Sequence, residues 1–427
     1  MKVLLLIFFL IKGFAASLEA QDLTFYIEQA KLNSPLIQDY KNQSEAARLE
    51  AERLKALFTK AQVSLTGSYL ISPIIDRDQG RTKLDLNPSG TSEKYSGFDL
   101  ATSNGGVYQG LLTINQPLFN GMRYETAAEQ TLIGAQLNQN SVQLTSHDLE
   151  KFITDQYILC LQDYKQTEYL TDLIAIIHDQ ERVVSRLVES GIAKQSDLSL
   201  LIIENKNQQT SLATYKAAYR RNLMDLRVLC GVTDTTYQVL EDIDLPLTTD
   251  VEASQFTEKY RLDSLNLVAA QKMFELKYKP TVGLFANTGL NAVYAPTLAD
   301  RFGMSAGVNF TLNLTDGKQR KISQQRTAVL LKSTSSYKTF FYHQNRMRKG
   351  KILVELRSIN ERLTLMDDQL TEYQKLLEFY KQELMMGQIS VINYINILKN
   401  RATTQRDYVL QKTNQELLIN LYNYWNW

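Results

Sequence analysis

Two pairs of glycines, Gly121 with Gly191 and Gly317 with Gly387, are each separated by seventy residues, and the second pair repeats the first 196 positions later. A spacing kept this constant across two helix-like stretches describes one structural unit written twice, and a doubled unit decides the fold before any local reading does. The 427-residue chain has seven prolines, none of them between Pro117 and Pro246 or after Pro296. Nothing in those two spans forces a helix to stop, so both are predicted to be very long helices.

Residues 22–60 read as helices, with Asn33-Ser34-Pro35 restarting the second. From Ala61 the period falls to two. Val63, Leu65, Gly67, Tyr69 and Ile71 alternate with Ser64, Thr66, Ser68 and Leu70, which predicts a strand over 62–71. Residues 72–105 are rich in Gly, Ser, Asp and Asn and read as a long loop. A second strand, 106–116, sets Tyr108, Gly110, Leu112 and Ile114 on one face; Pro117 ends it and Asn120-Gly121 turns the corner. A helical hairpin follows over 121–230, with apolar residues at threes and fours, a break at Ser190-Gly191 and a restart near Ser196-Asp197. At 1.5 Å of rise per residue its longer arm is on the order of 100 Å. These pieces form a first repeat, 21–230. After a linker at 231–258 the second repeat, 259–427, runs through a helix at 262–278, a strand at 280–290 opened by Pro280, a strand at 303–314, the turn at Thr315-Asp316-Gly317, and a hairpin over 318–425 that reverses at Gly387.

Each half thus supplies two strands of roughly 9 to 11 residues, enough to cross a bilayer when tilted. Four strands cannot close, and an open edge is not tolerated in hydrocarbon, so several copies must join. Two copies give eight strands with a filled interior and three give twelve with room for a lumen; the residues alone do not choose between them. The fold class expected is a mixed α/β membrane protein, mostly α. Residues 1–20 carry Lys2, an apolar run over 3–11 and small residues at Ala15, Ala16 and Ala20, the pattern of a cleaved signal peptide. A run of nine is too short for a spanning helix, which takes about 20 residues.

The net charge of +1, with both signs interspersed, gives no field for nucleic acid. Cys160 and Cys230 sit inside helical patterns and read as small buried hydrophobes, with a disulfide open only if the fold brings them together in an oxidising compartment. His147, His178 and His343 are too scattered for a metal site. No Gly-Xaa-Ser-Xaa-Gly elbow or Walker-type loop occurs, so neither an enzyme nor a cofactor is expected.

With its strands and hairpins in this order, the chain resembles the TolC-like outer membrane efflux proteins over nearly all of its mature length. The likeness rests on Asn33-Ser34-Pro35-Leu36, on the strand exits Gln116-Pro117-Leu118-Phe119-Asn120-Gly121-Met122-Arg123 and Asn313-Leu314-Thr315-Asp316-Gly317-Lys318-Gln319-Arg320, on the tip from Val188 to Leu198, and on Arg261-Leu262-Asp263-Ser264-Leu265. The resemblance implies a homotrimer whose twelve strands form one outer-membrane barrel, continuous with a periplasmic tunnel of long coiled helical hairpins. It also implies a passive duct of a tripartite efflux or type I secretion system, docked through a periplasmic adaptor protein to an inner-membrane transporter. The second tip departs from the pattern, because it lacks an acidic residue at the place of Asp197.

Under that resemblance Gly191, Ser196, Asp197, Leu198, Gly387, Ile392 and Asn393 are adaptor-docking residues of the periplasmic tips. The plainer reading makes the glycines permissive residues at a helix reversal and Ser196-Asp197 a helix N-cap. Pro117, Gly121, Pro280 and Gly317 mark the strand-to-helix joints. Tyr69, Tyr108, Phe285, Tyr294, Phe302 and Phe310 are expected in aromatic girdles at the membrane interfaces, against the plainer reading that aromatics favour strands anywhere. Asn and Gln runs such as 205–209 read as solvated helix faces. A competing reading from another class is a soluble periplasmic or surface coiled-coil scaffold whose strands only cap helical bundles.

Overall fold

The computed structural model describes residues 22–70, 74–77, 82–85, 95–96, 108–292 and 295–427; the expected signal segment lies outside them. The elements, in chain order, are α1 (Leu23–Asn33), α2 (Pro35–Thr59), β1 (Gln62–Tyr69), β2 (Ile74–Asp76), β3 (Lys83–Asp85), β4 (Tyr95–Ser96), β5 (Tyr108–Leu118), α3 (Gly121–Glu189), α4 (Gln195–Cys230), α5 (Glu258–Glu275), β6 (Thr281–Ala292), β7 (Phe302–Thr311), α6 (Gln319–Met385) and α7 (Val391–Trp425). The two spans without a breaker are single helices of 69 and 67 residues, as the proline spacing requires. The segment read as a featureless loop contains β2, β3 and β4, which form a small sheet in the order β3-β2-β4.

The contacts divide the chain into two compact units. One, Asn42–Asn138 with Tyr260–Ser336, carries the main sheet, in the order β1-β5-β6-β7 with every neighbour antiparallel. Each repeat contributes one hairpin, and the repeats join where β5 pairs with β6. The helices that lead into and out of the sheet are tied by polar contacts. Lys272 Nζ stands 2.8 Å from Glu129 Oε1, Ser323 Oγ donates to Gln271 Oε1 at 2.6 Å, and Arg123 Nη2 donates to Lys279 O at 2.6 Å.

The other unit begins, among described residues, at 22 and also contains Gln139–Lys259 and Tyr337–Trp427. Its first core joins Tyr26 and Ala30 of α1, Ile153, Tyr157 and Cys160 of α3, Tyr219, Leu226 and Cys230 of α4, and Leu240 of the linker. The linker has no strand or helix before Gln255–Thr257, so side chains must satisfy its backbone. Tyr157 Oη donates to Glu241 O at 2.8 Å, Tyr219 Oη to Gln238 O at 2.6 Å, and Arg227 Nη1 to Thr236 O at 2.6 Å. Farther along, Asn423 and Asn426 each accept a linker N–H and donate to a linker carbonyl. A second core lies between the two hairpins. It contains Leu173, Ile177 and Val184 of α3, Leu201 of α4, Leu384 of α6, and Val391, Tyr394 and Leu398 of α7. At about 1.5 to 3 kcal/mol for each large apolar side chain fully buried, these seams are what hold the hairpins together.

Amide side chains do more here than wet a surface. Gln156 Nε2 donates to Asn222 O, Gln166 Nε2 to Arg406 O, Asn420 Nδ2 to Lys151 O, and Asn345 Nδ2 to Trp425 O, each from one helix to another. Asn205, expected on a solvated face, is buried and donates to Glu181. Cys160 and Cys230 are buried in the same core and are not bonded to each other; burial pushes the Cys230 thiol up to about 12, as suits an inert hydrophobe.

Candidate functional site

The register of the main sheet sorts its residues into two faces of opposite chemistry. Across the strands, Leu65 stands opposite Leu112, Val63 opposite Ile114, Ile114 opposite Ala286 and Ala286 opposite Ala306. Side chains alternate with period two, so one face carries Val63, Leu65, Leu112, Ile114, Leu284, Met304 and Val308. The other carries Ser64, Thr66, Thr113, Asn115, Asn287, Ser305 and Asn309. The described strands of this sheet hold no charged residue on either face. Leu65 and Met304 are 80% and 84% exposed, an apolar surface that water would not leave uncovered.

The aromatics fall at defined levels. Tyr69 and Tyr108 are cross-strand partners whose rings stack with centroids 4.8 Å apart. They share the apolar face with Phe302, at the loop end of the sheet. Phe310 lies on the same face at the helix end. The eight residue steps from Phe302 to Phe310 span about 26 Å of strand, or about 20 Å of height at the tilt of a barrel. Phe285 departs from the expectation. Its partners are Asn115 and Gly307, which puts it on the polar face, where its ring covers the backbone of Gly307. Tyr294 lies outside the described residues.

The joints depart from the expected plan in the first half and keep closer to it in the second. Pro117 does not end its strand: β5 continues to Leu118, with Pro117 opposite Gly283. Gly121 is not the turn residue either, because it opens α3, and the left-handed conformation falls on Phe119, at φ 56°. In the second half Pro280 stands immediately before β6 rather than as its first residue, while Gly317 at φ 62° and Lys318 at φ 70° make the turn. Asp316 organises that turn. It accepts the Tyr278 hydroxyl and the backbone N–H groups of Lys318 and Arg320, and these bonds, Tyr278 first, hold its carboxyl below the usual range.

Both hairpin tips use one device. Gly191 N donates to Val188 O and Ile192 N to Leu187 O; Gly387 N donates to Leu384 O and Gln388 N to Glu383 O. With φ of 77° and 70° at the two glycines, each is a Schellman cap, which satisfies carbonyls that a helix end leaves orphaned. The following helices start differently from the expectation. Lys194, not Ser196, is the N-cap of α4, and the Asp197 carboxylate three residues on accepts the Lys194 N–H. In the second tip Ser390 is the N-cap, and its hydroxyl accepts from Asn393 N. No sequence signal pointed to Lys194, since lysine is not a capping type; Ser390, by contrast, was a legible cap. Leu198 packs against the core between the hairpins, whereas Ile192, Met385, Met386 and Ile392 are exposed. The tips also touch, because a Cβ added at Gly387 would stand 3.1 Å from Ile192 Cγ2.

Elsewhere, His147 is held between Tyr424 and Trp427, with ring centroids 4.9 Å and 4.2 Å away, and its Nε2 lies 3.0 Å from Tyr424 O. Among the described residues no helix is long and apolar enough to cross a membrane, and no three His, Cys, Asp or Glu side chains gather in a metal-sized group.

No protein-family model matches the chain, and no curated protein matches its sequence. Solved structures do. VceC, an outer membrane protein of Vibrio cholerae, matches at a TM-score of 0.67 and 13% identity over 95% of this chain and 96% of its own. A membrane protein of Pseudomonas aeruginosa matches at 0.71 and 11% over 94% and 90%. The CmeC outer membrane channel of Campylobacter jejuni matches at 0.66 and 12% over 95% and 85%. At such identities the likeness is one of fold: the chain has the TolC-like fold of outer-membrane channels, long helical hairpins joined to a contribution of four strands.

Proposed function

We propose that three copies of this chain close a twelve-stranded barrel in the outer membrane, with their hairpins extending into the periplasm, and that the assembly is the exit duct of a tripartite efflux or secretion pathway. The observation that carries this reading is the sheet, which is greasy on one face and polar and uncharged on the other, with unpaired edges at β1 and β7. In hydrocarbon an open edge would leave N–H and C=O groups unsatisfied. Three antiparallel pairings leave β1 and β7 running in opposite directions, so β7 of one copy can receive β1 of the next without breaking the pattern. The polar face is mostly Gly, Ser, Thr and Asn, too small to fill the interior of an eight-stranded barrel but suited to lining the lumen of a twelve-stranded one.

The tips would meet a periplasmic adaptor protein. Ile192, Met385, Met386 and Ile392 give them an adaptable apolar surface, rimmed by Asp197 in the first tip and Asn393 in the second. The duct performs no chemistry and supplies a lined path, while an inner-membrane transporter chooses the cargo. The chain's likeness to proteins described as outer membrane channels supports a duct rather than an enzyme.

Heat-modifiable migration in detergent and stepwise conductance in planar bilayers test the barrel. A monodisperse monomer that stays in water without detergent would decide for a coiled-coil scaffold instead. Cysteines placed at Gln195 and Gln388, crosslinked in the envelope, test the tips; capture of neighbours that include no adaptor would count against docking there.

A further inference from the structure

The strand-to-helix joints carry a pronounced charge imbalance. Residues 59–62, 117–123, 276–281 and 312–321 hold seven basic side chains and one acidic, next to a sheet whose described strands have no charge. The single acid, Asp316, is turned inward onto Tyr278 and the backbone. Four of the basic groups are also engaged: Arg320 pairs with Glu275 at 3.1 Å, Lys277 Nζ lies 3.9 Å from the centroid of the Phe274 ring, Arg123 donates to Lys279 O, and Lys279 Nζ donates to Met122 Sδ. Lys60, Lys318 and Lys321 are exposed and pair with no carboxylate among the described residues.

Apolar side chains stand among these cations. Leu312 and Leu314 continue the alternation of Phe302, Met304, Ala306, Val308 and Phe310 past the last paired residue, and Leu314 is 85% exposed. Continued past the end of β7 at the rise of a strand, the apolar alternation from Phe302 to Leu314 covers about 40 Å of chain, or about 30 Å of height at barrel tilt. That exceeds the roughly 25 Å apolar band of a bilayer barrel, so Leu314 falls at headgroup depth. Phe119 is 89% exposed. It and Lys318 are the only non-glycine residues with positive φ among those described, one at each joint. A bulky residue in the left-handed region is strained, and strain of this kind is retained where position matters more than stability.

We propose that the joints form a collar that binds anionic phospholipid in the leaflet facing the helices, with Phe119 and Leu314 in the headgroup–acyl boundary and Lys60, Lys318 and Lys321 on the lipid phosphates. Lysines near an anionic surface attract it within a Debye length, and continuity with the apolar face fixes the occupant as bilayer lipid. The collar rests on the duct reading, since it assumes the sheet lies in a membrane.

The test uses the full chain in vesicles of phosphatidylcholine with one fifth phosphatidylglycerol, with bromine on the acyl chains of one lipid or the other. Phe119→Trp reports at the collar, Leu314→Trp is a second reporter should the first variant fail to assemble, and Met304→Trp reports on the apolar face nearer the loop end. The unsubstituted protein supplies the background of Trp425 and Trp427. Brominated phosphatidylglycerol is expected to quench the collar reporters at least twofold beyond its mole share. Replacing Lys60, Lys318 and Lys321 by Gln, or raising salt, is expected to abolish that excess while Met304→Trp remains quenched by both lipids in proportion. Proportional quenching at the collar, or an excess that survives the three Gln replacements, overturns the collar and leaves the duct standing. No quenching at Met304→Trp removes the duct and the collar together.

Discussion

The ring of Phe285 lies across Gly307, so that a methyl group added at Gly307 would meet Cζ at 2.6 Å. This cross-strand pair covers a backbone that glycine leaves bare, on the face turned away from the apolar surface. Gly307→Ala is expected to displace the ring and cost about 1 to 3 kcal/mol. Phe285→Ala combined with Gly307→Ala should cost less than the sum of the two single changes. Thermal unfolding of the four proteins in detergent measures the cycle, and strict additivity would contradict the contact.

Ala286 and Asn287 are adjacent in β6 and belong to opposite faces. Arginine at Ala286 should oppose insertion by about 2 to 4 kcal/mol, the cost of a cation on a lipid face near the midplane, and should sharply reduce the folded fraction in vesicles. Asn287→Arg should insert normally and shift the conductance toward anions. Equal effects on folding would mean that the faces are wrongly assigned.

Three of the four spaced glycines have left-handed backbones, and the fourth, Gly121, has a helical one with open space around its missing Cβ. Gly191→Ala, Gly317→Ala and Gly387→Ala should each cost about 1 to 2 kcal/mol. Gly387→Ala should cost the most of the three, because its new methyl also presses on Ile192. Gly121→Ala should be neutral or slightly stabilising, since alanine is the better helix former. Melting temperatures of the four variants would check this order.

His147 gives the helical unit a pH dependence. Burial holds its imidazole below the ordinary titration point, offset in part by its bond to Tyr424 O and by the charges of Glu150 and Asp148, with Lys31 acting in the same sense as burial. As pH falls through about 6.5, the unfolded chain takes up the proton before the folded one. The stability contributed above that pH is then lost as pH drops toward the folded-state value. The drop in melting temperature between pH 7.5 and pH 5 should be smaller for His147→Gln than for the unsubstituted protein. An unchanged drop would show that another group carries it.

Much of the fold was legible because its signals are periodic. Alternation over Val63–Tyr69 and Met304–Phe310 set the strands and both faces, and the spacing from Gly191 to Gly387 set the tips. The same alternation sets Phe285 on the face opposite to Leu284 and Ala286, so its place outside the girdle is legible in parity rather than in residue type. The cap of α4 was illegible for a different reason. Ser196-Asp197 has the composition of a cap, but the preceding Schellman turn shifts the helix start to Lys194, leaving Asp197 to act from inside. Arg227 gave no signal at all: nothing in a helical pattern tells a guanidinium that reaches Thr236 O from one that faces water. The strain at Phe119 was hidden because asparagine and glycine follow it, and either is the more usual occupant of such a turn.

In the ring of copies proposed above, the two free edges of the sheet would have a genetic consequence. Each junction in a closed ring draws β7 from one polypeptide and β1 from another, so a copy damaged at a single edge can still join on its sound side and then block completion. Lesions in β1 or β7 should therefore be dominant when expressed beside the intact gene. Lesions that prevent folding altogether should be recessive, because such a copy never enters the ring.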